Sequence, residues 1–372
     1  MRNKKKIAPL NLFQWLDAIP IFPKVYWRSK GEEVEIAAVG KIIEFDQPPT
    51  DHPGRFFGGR AFSKPQGIWK GFPESIFFLP AYEFVQTKDE TIRYSYSSDF
   101  PPLSIQPTTN PFSVLSRKDL PDYKEWEKLV ADFLNNKTLK KAVLARQSTF
   151  KLSNPPAPFH LLSQLAQKNA TVFGLQISED QAFIGATPEK LYQRKGRRVF
   201  SEAIAGTRPI TASSEELLNS EKDKREFQYV KDYIRQALSP LCRSLAEGEN
   251  KLLTTSTVQH LHCQFQGELK ESTTDMQLLD VLHPTPAVNG TPKELAYAYL
   301  NKVEPFNRGW YASALGFISE DEADFAVGIR SALIVGSNIH LYAGGGLVEG
   351  SVAADEWEER EHKIALFKKV LS

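Results

Sequence analysis

Cysteine is scarce in this sequence: Cys242 and Cys263 are the only two in 372 residues. They lie too far apart for a Cys-x-x-Cys redox or zinc motif, and a secreted disulfide scaffold would carry more, so both are read as reduced core thiols. Charge of one sign is not in excess either, since 46 lysines and arginines face 45 aspartates and glutamates, for a formal net charge of +1. So balanced a chain offers no field for a polyanion, which argues against nucleic-acid binding. No apolar run approaches the roughly 20 residues of a membrane-spanning helix. The basic start, Met1 to Lys6, looks like the head of a signal peptide, but Pro9, Asn11, Gln14 and Asp17 interrupt the stretch after it. A soluble, cytoplasmic protein is expected. Internal repeats, low-complexity tracts and glycine-rich nucleotide loops are also missing.

What is present suffices for a large core. With 41% hydrophobic and 24% charged residues, the chain reads as one large domain or two merged ones. Three runs rich in β-branched and aromatic residues, Val34 to Phe45, Ser75 to Thr87 and Thr91 to Ser97, read as strands. Pro101, Pro102, Pro107 and Pro111 then punctuate a connection that can be neither helix interior nor central strand. Beyond Pro121, helical patterns alternate with strands that often come in adjacent pairs, which suggests antiparallel sheet. Strands are expected at Lys141 to Leu152, Gln181 to Pro188, Leu252 to Leu269, Phe325 to Val335 and Asn338 to Tyr342. One helix is marked by a capping box at Ser213 and Glu216, with Phe227, Val230, Ile234, Leu238 and Leu241 beyond it at helical spacing up to Pro240. A second begins at Thr291, with Pro292 in first position and Glu294 closing a capping box. The last runs from about Glu356 to Leu371. The balance is mixed α and β, without regular βαβ alternation.

Two acidic pairs stand out. Asp223 and Glu226, and Glu356 and Glu359, are each three residues apart on a helix, so each pair projects from one face. Carboxylates at the margin of a buried face need a partner or a metal, and without a cysteine or histidine cluster they suit a hard ion such as Mg2+. Such spacing is also common on solvated helix faces.

Lys141 opens an alternating strand in which Lys141, Val143 and Ala145 share a face. A lysine turned inward among small apolar residues is a candidate general base, because desolvation favours the neutral amine. An edge-strand lysine that discourages sheet pairing is the alternative. Glu189 comes after Gly185-Ala186-Thr187-Pro188 at the end of a strand, where a loop can present it to a cleft. Arg330, read as mid-strand between apolar neighbours, needs an anionic partner from the protein or a ligand. Tyr342-Ala343-Gly344-Gly345-Gly346 ends a strand with three glycines that let backbone N–H groups approach a carboxylate ligand, unless they form a hairpin turn. His260, His262 and His283 have no zinc-ligand spacing and read as hydrogen-bonded core histidines.

In this order, Lys141-Ala-Val-Leu-Ala-Arg146, Gly185-Ala-Thr-Pro-Glu189, Ala205-Gly-Thr-Arg208, Val258-Gln-His-Leu261, His283-Pro-Thr-Pro-Ala287, Gly328-Ile-Arg-Ser331, Tyr342-Ala-Gly-Gly-Gly346 and Glu356-Trp-Glu-Glu359 resemble the chorismate-utilising family of isochorismate, salicylate, anthranilate and aminodeoxychorismate synthases. Upstream, Phe57-Gly-Gly-Arg-Ala-Phe62 and Phe77-Phe-Leu-Pro80 look like its menaquinone-type isochorismate synthases.

The resemblance implies an α+β fold of two large, mainly antiparallel β-sheets packed as a sandwich with helices outside. Residues 125–372 would be the chorismate-binding core, and 1–124 would contribute strands to the common fold. It matches Lys141 to the base that activates water for attack at C2, and Glu189 to the acid that protonates the departing C4 hydroxyl. Glu226 and Glu359 match direct Mg2+ ligands, with Asp223 and Glu356 acting through water; Asp223 is shorter than the glutamate common at its position. Arg330 and Tyr342, with Gly344 and Gly346, match the groups holding the pyruvyl carboxylate. Gly206, Thr207 and Lys363 match contacts near the ring carboxylate and metal, and His260 a residue near the reacting hydroxyl.

Lysine at 141 and alanine at 287 favour water over ammonia, so the implied reaction is chorismate to isochorismate, with no glutaminase subunit and a monomer or homodimer as the unit. Menaquinone synthesis is the favoured destination, with a siderophore or salicylate route as alternatives. Salicylate synthesis, in which pyruvate is eliminated from isochorismate, is the runner-up activity. An ammonia-using synthase or a non-catalytic chorismate-binding protein ranks behind it.

Overall fold

The computed structural model describes residues 3–50, 52–96, 111–254 and 258–372. From the N-terminus, β1 (Asn3–Ile7), α1 (Leu12–Ala18), β2 (Lys24–Arg28), β3 (Glu35–Val39), β4 (Ile43–Phe45), β5 (Phe56–Arg60), β6 (Ser75–Leu79), β7 (Tyr82–Gln86) and β8 (Thr91–Ser95) precede β9 (Val114–Leu120) and α2 (Tyr123–Asn135). Then come β10 (Lys141–Leu152), α3 (Pro158–Leu165), β11 (Thr171–Ser178), β12 (Gln181–Thr187), β13 (Lys190–Lys195) and β14 (Arg198–Pro209). Next are α4 (Ser214–Asn219), α5 (Glu221–Leu238), β15 (Cys242–Glu247), β16 (Lys251–Thr254), β17 (Val258–Leu269), α6 (Asp275–Leu282), β18 (Gly290–Thr291) and α7 (Lys293–Val303). The chain closes with β19 (Ala314–Ile318), β20 (Glu322–Val327), β21 (Ser331–Val335), β22 (Asn338–Leu347) and α8 (Ala353–Leu371).

The strands form two antiparallel sheets, as the family resemblance implies. The larger, of twelve strands, has the order β1-β8-β7-β3-β2-β11-β12-β21-β22-β10-β18, with β9 also on β10. In the smaller, of ten, the order is β15-β17-β14-β13-β20-β19-β5-β6-β4, with β16 also on β17. Alternation along each strand decides what it faces. In β2, Val25 and Trp27 enter the core between the sheets, whereas Tyr26 joins a second core on the other side. Trp27 meets Phe317 of the smaller sheet edge-on at 6.0 Å, so the inner core is continuous across the sandwich. The second core packs the outer face of the larger sheet against α1, α3 and α8 through residues such as Leu16, Leu162 and Ile364. Outside the smaller sheet, α5 packs on β14 and β17. Among the described residues, no helix is long and apolar enough to cross a membrane.

Several single elements of the sequence reading are two in the structure. The runs 34–45, 75–87 and 325–335 each break where the chain leaves one sheet for the other: β3 to β4 at Gly40, β6 to β7 at Pro80, and β20 to β21 at 328–330. Hydrophobic alternation persists across these breaks because both strands still face the shared core, which is why each run reads as one strand. Arg330 is therefore not mid-strand: it lies in a crossover with φ of 50°, a left-handed conformation uncommon outside glycine. The helix expected from Ser213 is α4 and then α5, and Ser220 ends the first while its hydroxyl caps the second. Ser213 caps α4 through the N–H of Glu215 rather than through a reciprocal box with Glu216. Thr291 does not cap α7 either, because its backbone pairs with Lys141 in β18. The glycine run does not end a strand; β22 continues through it and pairs with β10. Lys251–Thr254 and Val258–Leu269 occupy the run expected at 252–269. Ser97, Pro101, Pro102 and Pro107 fall outside the described residues.

Candidate active site

The chain crosses between sheets at Pro188–Glu189, from β12 to β13, and again at 328–330, from β20 to β21. The two crossings lie side by side: the Val327 N–H donates to the Glu189 carbonyl at 3.1 Å, and the Ala186 N–H donates to the Arg330 carbonyl at 3.2 Å. A crossover strand end cannot continue its ladder, so its side chain can turn into the space between the sheets. Glu189 and Arg330 both do so, and both line a cleft enclosing about 610 Å³ of empty space, its open mouth included. Val143, Thr207, Glu226, His260, Ala287, Tyr311, Tyr342, Gly344, Gly346 and Lys363 complete much of its wall.

Glu189 is 4% exposed. Burial pushes its carboxyl up to about 8, and the charge of Glu202 adds to the rise against the opposing effects of Lys141, Lys30 and Lys363. It is therefore a protonated acid near neutrality. Lys141 is fully buried in the interior of the larger sheet, flanked by β18 and continued by residues paired with β22, so the edge-strand alternative does not hold. Its Nζ lies 3.1 Å from Glu226 Oε1 and has no hydrogen-bond partner among the described residues. Buried polar groups are nearly always fully satisfied, so a buried amine that faces one carboxylate and makes no hydrogen bond among the described residues suits a ligand or a chemical role. His260 is similar: Nδ1 meets Thr207 Oγ1 at 3.1 Å, while buried Nε2 is unpartnered among the described residues. Burial holds its imidazole well below the usual range, so it is neutral. Burial also pulls Arg330 down to about 10, leaving it charged.

Of the four helical acids, Glu226 on α5 feels the charges of Glu356 and Glu359 on α8. Burial raises the Glu226 carboxyl; Lys141 opposes that, whereas Glu359 and Glu356 repel and reinforce it. Burial acts on Glu359 in the same sense but is outweighed by Lys363, so that carboxyl is lowered. Glu356 Oε1 accepts from Lys222 at 2.7 Å and from Ser351 at 2.8 Å, while its Oε2 has no hydrogen-bond partner among the described residues. Asp223 is committed to Arg208, which donates twice at 2.8 and 3.0 Å. Among the described residues, no three such groups stand close enough together to cage an ion as they are. The donor chemistry nevertheless fits a hard divalent cation: the buried Glu226 carboxylate is repelled by Glu359 and Glu356, and Glu356 keeps one oxygen without a hydrogen bond among the described residues.

Of the residues singled out in the sequence, Glu189, Thr207, Glu226, His260, Arg330, Tyr342, Gly344, Gly346 and Lys363 line the cleft. Lys141 stands just behind Glu226 and Gly346, and Asp223, Glu356, Glu359 and Gly206 lie outside the lining. The glycines act differently from expectation. A Cβ on Gly346 would overlap the Glu226 carboxylate and approach Lys141 Cε to 2.8 Å, and one on Gly344 would meet the Tyr311 hydroxyl at 2.8 Å. Their missing side chains make room for protein groups that border the cleft. Gly206, at φ 66°, forms a bulge in β14 beside Asp223. His283 is a core histidine bonded to the Ala312 carbonyl at 2.8 Å, and His262 pairs with Glu202. Cys242 and Cys263 are free, buried thiols. The sequence reading missed Tyr311, which stacks on Tyr342 at 5.0 Å; its only local signal was an aromatic pair, Trp310-Tyr311, after a glycine.

A two-sheet sandwich with an acid, a buried lysine and paired carboxylates around one cleft defines a class, and comparison with known proteins gives the same one. The family model described as "Chorismate binding enzyme" matches residues 95–372. The chain belongs to this family. Among its relatives, the isochorismate synthase MenF of Bacillus subtilis is 31% identical over 367 residues, covering 90% of this chain and 75% of that protein. A chloroplastic isochorismate synthase of Catharanthus roseus is 39% identical over 70% of this chain, which spans about half (47%) of that longer protein. The structure of the menaquinone-specific isochorismate synthase MenF from Escherichia coli superposes with a TM-score of 0.87, covering 100% of this chain and 95% of that one, at 24% identity, and shows the shared fold.

Proposed function

We propose that the chain is an isochorismate synthase, converting chorismate to isochorismate. The observation that carries this reading is the coexistence, at one cleft, of a carboxyl held protonated near neutrality at Glu189 and a fully buried amine at Lys141 whose neighbour is the Glu226 carboxylate. Lys141 takes a proton from a water molecule as its oxygen bonds to C2. The C1=C2 pair moves to C1–C6 and the C5=C6 pair to C4–C5, the C4–O bond breaks, and Glu189 delivers its proton to the departing hydroxyl, which leaves as water. One water enters and one leaves, so the net change is an isomerisation. Exchange with solvent resets the two groups.

Arg330, still charged, and Tyr342 hold the pyruvyl carboxylate, while neutral His260 offers a free Nε2 to the reacting hydroxyl. Glu226 and Glu359 would hold Mg2+, supported through water by Asp223 and Glu356, and the ion would supply positive charge to the ring carboxylate and to the charge that develops on it. Asp223 must first loosen its hold on Arg208. Water rather than ammonia as nucleophile means that no glutaminase subunit is required. Residues 125–372 form the catalytic core and 1–124 complete both sheets around it. The likeness to the menaquinone-specific enzyme of Escherichia coli supports menaquinone synthesis as the destination, and the cytoplasm is the proposed location.

The test is to incubate the pure protein with chorismate and Mg2+ and separate the products. Isochorismate alone is expected. Salicylate with pyruvate would instead make it a lyase, and absence of turnover would make it a binding protein.

A further inference from the structure

Glu189 is held from its backbone: both peptide groups that flank it are pinned by one buried ion pair. Lys30 Nζ donates to the Pro188 carbonyl, on the peptide before Glu189, at 2.8 Å. The same ammonium donates to Glu202 Oε1 and Oε2 at 2.7 and 2.9 Å. Glu202 Oε1 in turn accepts the N–H of Lys190, on the peptide after Glu189, at 2.9 Å. Glu202 Oε2 meets His262 Nε2 at 2.8 Å. The neighbouring residue repeats the pattern on the side chain of Lys190, whose Nζ donates to Ser29 Oγ at 2.8 Å and pairs with Asp324 at 3.1 Å.

Ser29 and Lys30 come directly after β2, in the part of the chain that precedes the family match at 95–372. The Glu202 carboxylate is 1% exposed and Lys30 18%, so water screens the pair weakly. A surface ion pair would contribute little, but removing one partner from a buried, fully bonded one frees the peptides it holds.

We propose that Lys30 and Glu202 are positioning residues for the general acid, a clamp through which the N-terminal strands fix the direction of Glu189. This inference rests on the acid role given to Glu189 above. Charge acts in the same sense as geometry. The groups whose charges act on Glu189 are Glu202 from β14, Lys141 from β10, Lys30 after β2 and Lys363 from α8, and of these only Glu202 favours the protonated form. Glu202 thus both helps to aim the acid and favours its proton, whereas Lys30 acts on its direction and opposes the proton by charge.

The experiment compares wild type, Lys30→Met and the isosteric Glu202→Gln as full-length, Mg2+-loaded protein. Loss of aim predicts a kcat for Lys30→Met lower by about tenfold or more, with KM for chorismate within about threefold. For Glu202→Gln, removal of the negative charge shifts the alkaline fall of kcat to lower pH. A purely structural pair would lower the melting temperature while leaving kcat and the alkaline limb at wild-type values, and that result overturns the proposal. Should Lys30→Met not fold, Glu202→Gln carries the test alone. A readout independent of turnover is the infrared band of the protonated carboxyl that disappears in Glu189→Gln. Its titration must move to lower pH in Glu202→Gln, and an unmoved titration overturns the clamp even in an inactive protein. If the band shifts while wild type makes no isochorismate, the proposed function has failed, and with it the acid role, while the hold of Glu202 on the Glu189 proton stands.

Discussion

Glu189 and Arg330 occupy neighbouring crossings between the two sheets, bound to each other's strands by the Val327 N–H on the Glu189 carbonyl and the Ala186 N–H on the Arg330 carbonyl. A buried carboxyl and a buried guanidinium are thus set side by side by backbone bonds alone, before either side chain makes a contact. A larger depression near Pro48 and Arg197 has no such arrangement; Arg194 there is already spent on Asp275 at 2.8 Å.

Replacing Glu189 by glutamine removes the proton donor without changing shape. We expect kcat for isochorismate formation to fall at least about a hundredfold, the usual scale for a lost general acid, with KM little changed. Steady-state kinetics at neutral pH decide this.

The same substitution should stabilise the fold. The folded Glu189 carboxyl titrates at about 8, above its ordinary value of 4.5, so between those pH values the folded state holds a proton that the unfolded state has released. Stability contributed at this position is therefore greatest below the unfolded value and declines as pH rises toward about 8. Glutamine escapes that decline. The melting temperature of Glu189→Gln relative to wild type should rise across this window and level off above it, with a gain on the order of a few kcal/mol. Equal melting curves at pH 5 and pH 8 would contradict it.

Lys141→Met keeps the buried stem and deletes the amine. Activity should fall at least about a hundredfold while the far-ultraviolet circular dichroism spectrum stays as in wild type.

Glu226→Gln should weaken Mg2+ binding by at least about tenfold, because a charged oxygen ligand becomes a neutral amide. Calorimetric titration and the loss of Mg2+-induced thermal stabilisation both read this without turnover. A titration matching wild type would remove Glu226 from the ligand set.

Gly346→Ala places a methyl group on the Glu226 carboxylate and at 2.8 Å from Lys141 Cε. Both side chains must move, so activity and Mg2+ binding should fall together. Gly336→Ala, at a turn with open space around its Cβ position but φ of 53°, should affect stability alone.

The parts of this arrangement that were legible in the sequence are those written locally. The strand opening at Lys141 carries its alternation in its own residues, and the acid pairs on α5 and α8 come from helical spacing. The ordered family motifs supplied roles for them. Sheet changes were not legible, since the run through Val327 and Ser331 keeps its alternation while the chain passes from one sheet to the other. Nor was the clamp on Glu189: Lys30 and Glu202 are 172 positions apart and meet only once both sheets have formed. The glycines at 344–346 were recognised as space but assigned to the ligand, because the side chains that use that space come from Tyr311, Glu226 and Arg360, all outside the strand that carries the glycines.

In the proposed reaction Lys141 and Glu189 add one water at C2 while expelling the hydroxyl at C4. Running it with Mg2+ and chorismate in water enriched in oxygen-18, and locating the label by mass spectrometry, shows whether this is so. Isochorismate bearing the heavy oxygen at C2 is expected. Isochorismate whose C2 hydroxyl keeps the oxygen that chorismate carried at C4 would rule the mechanism out.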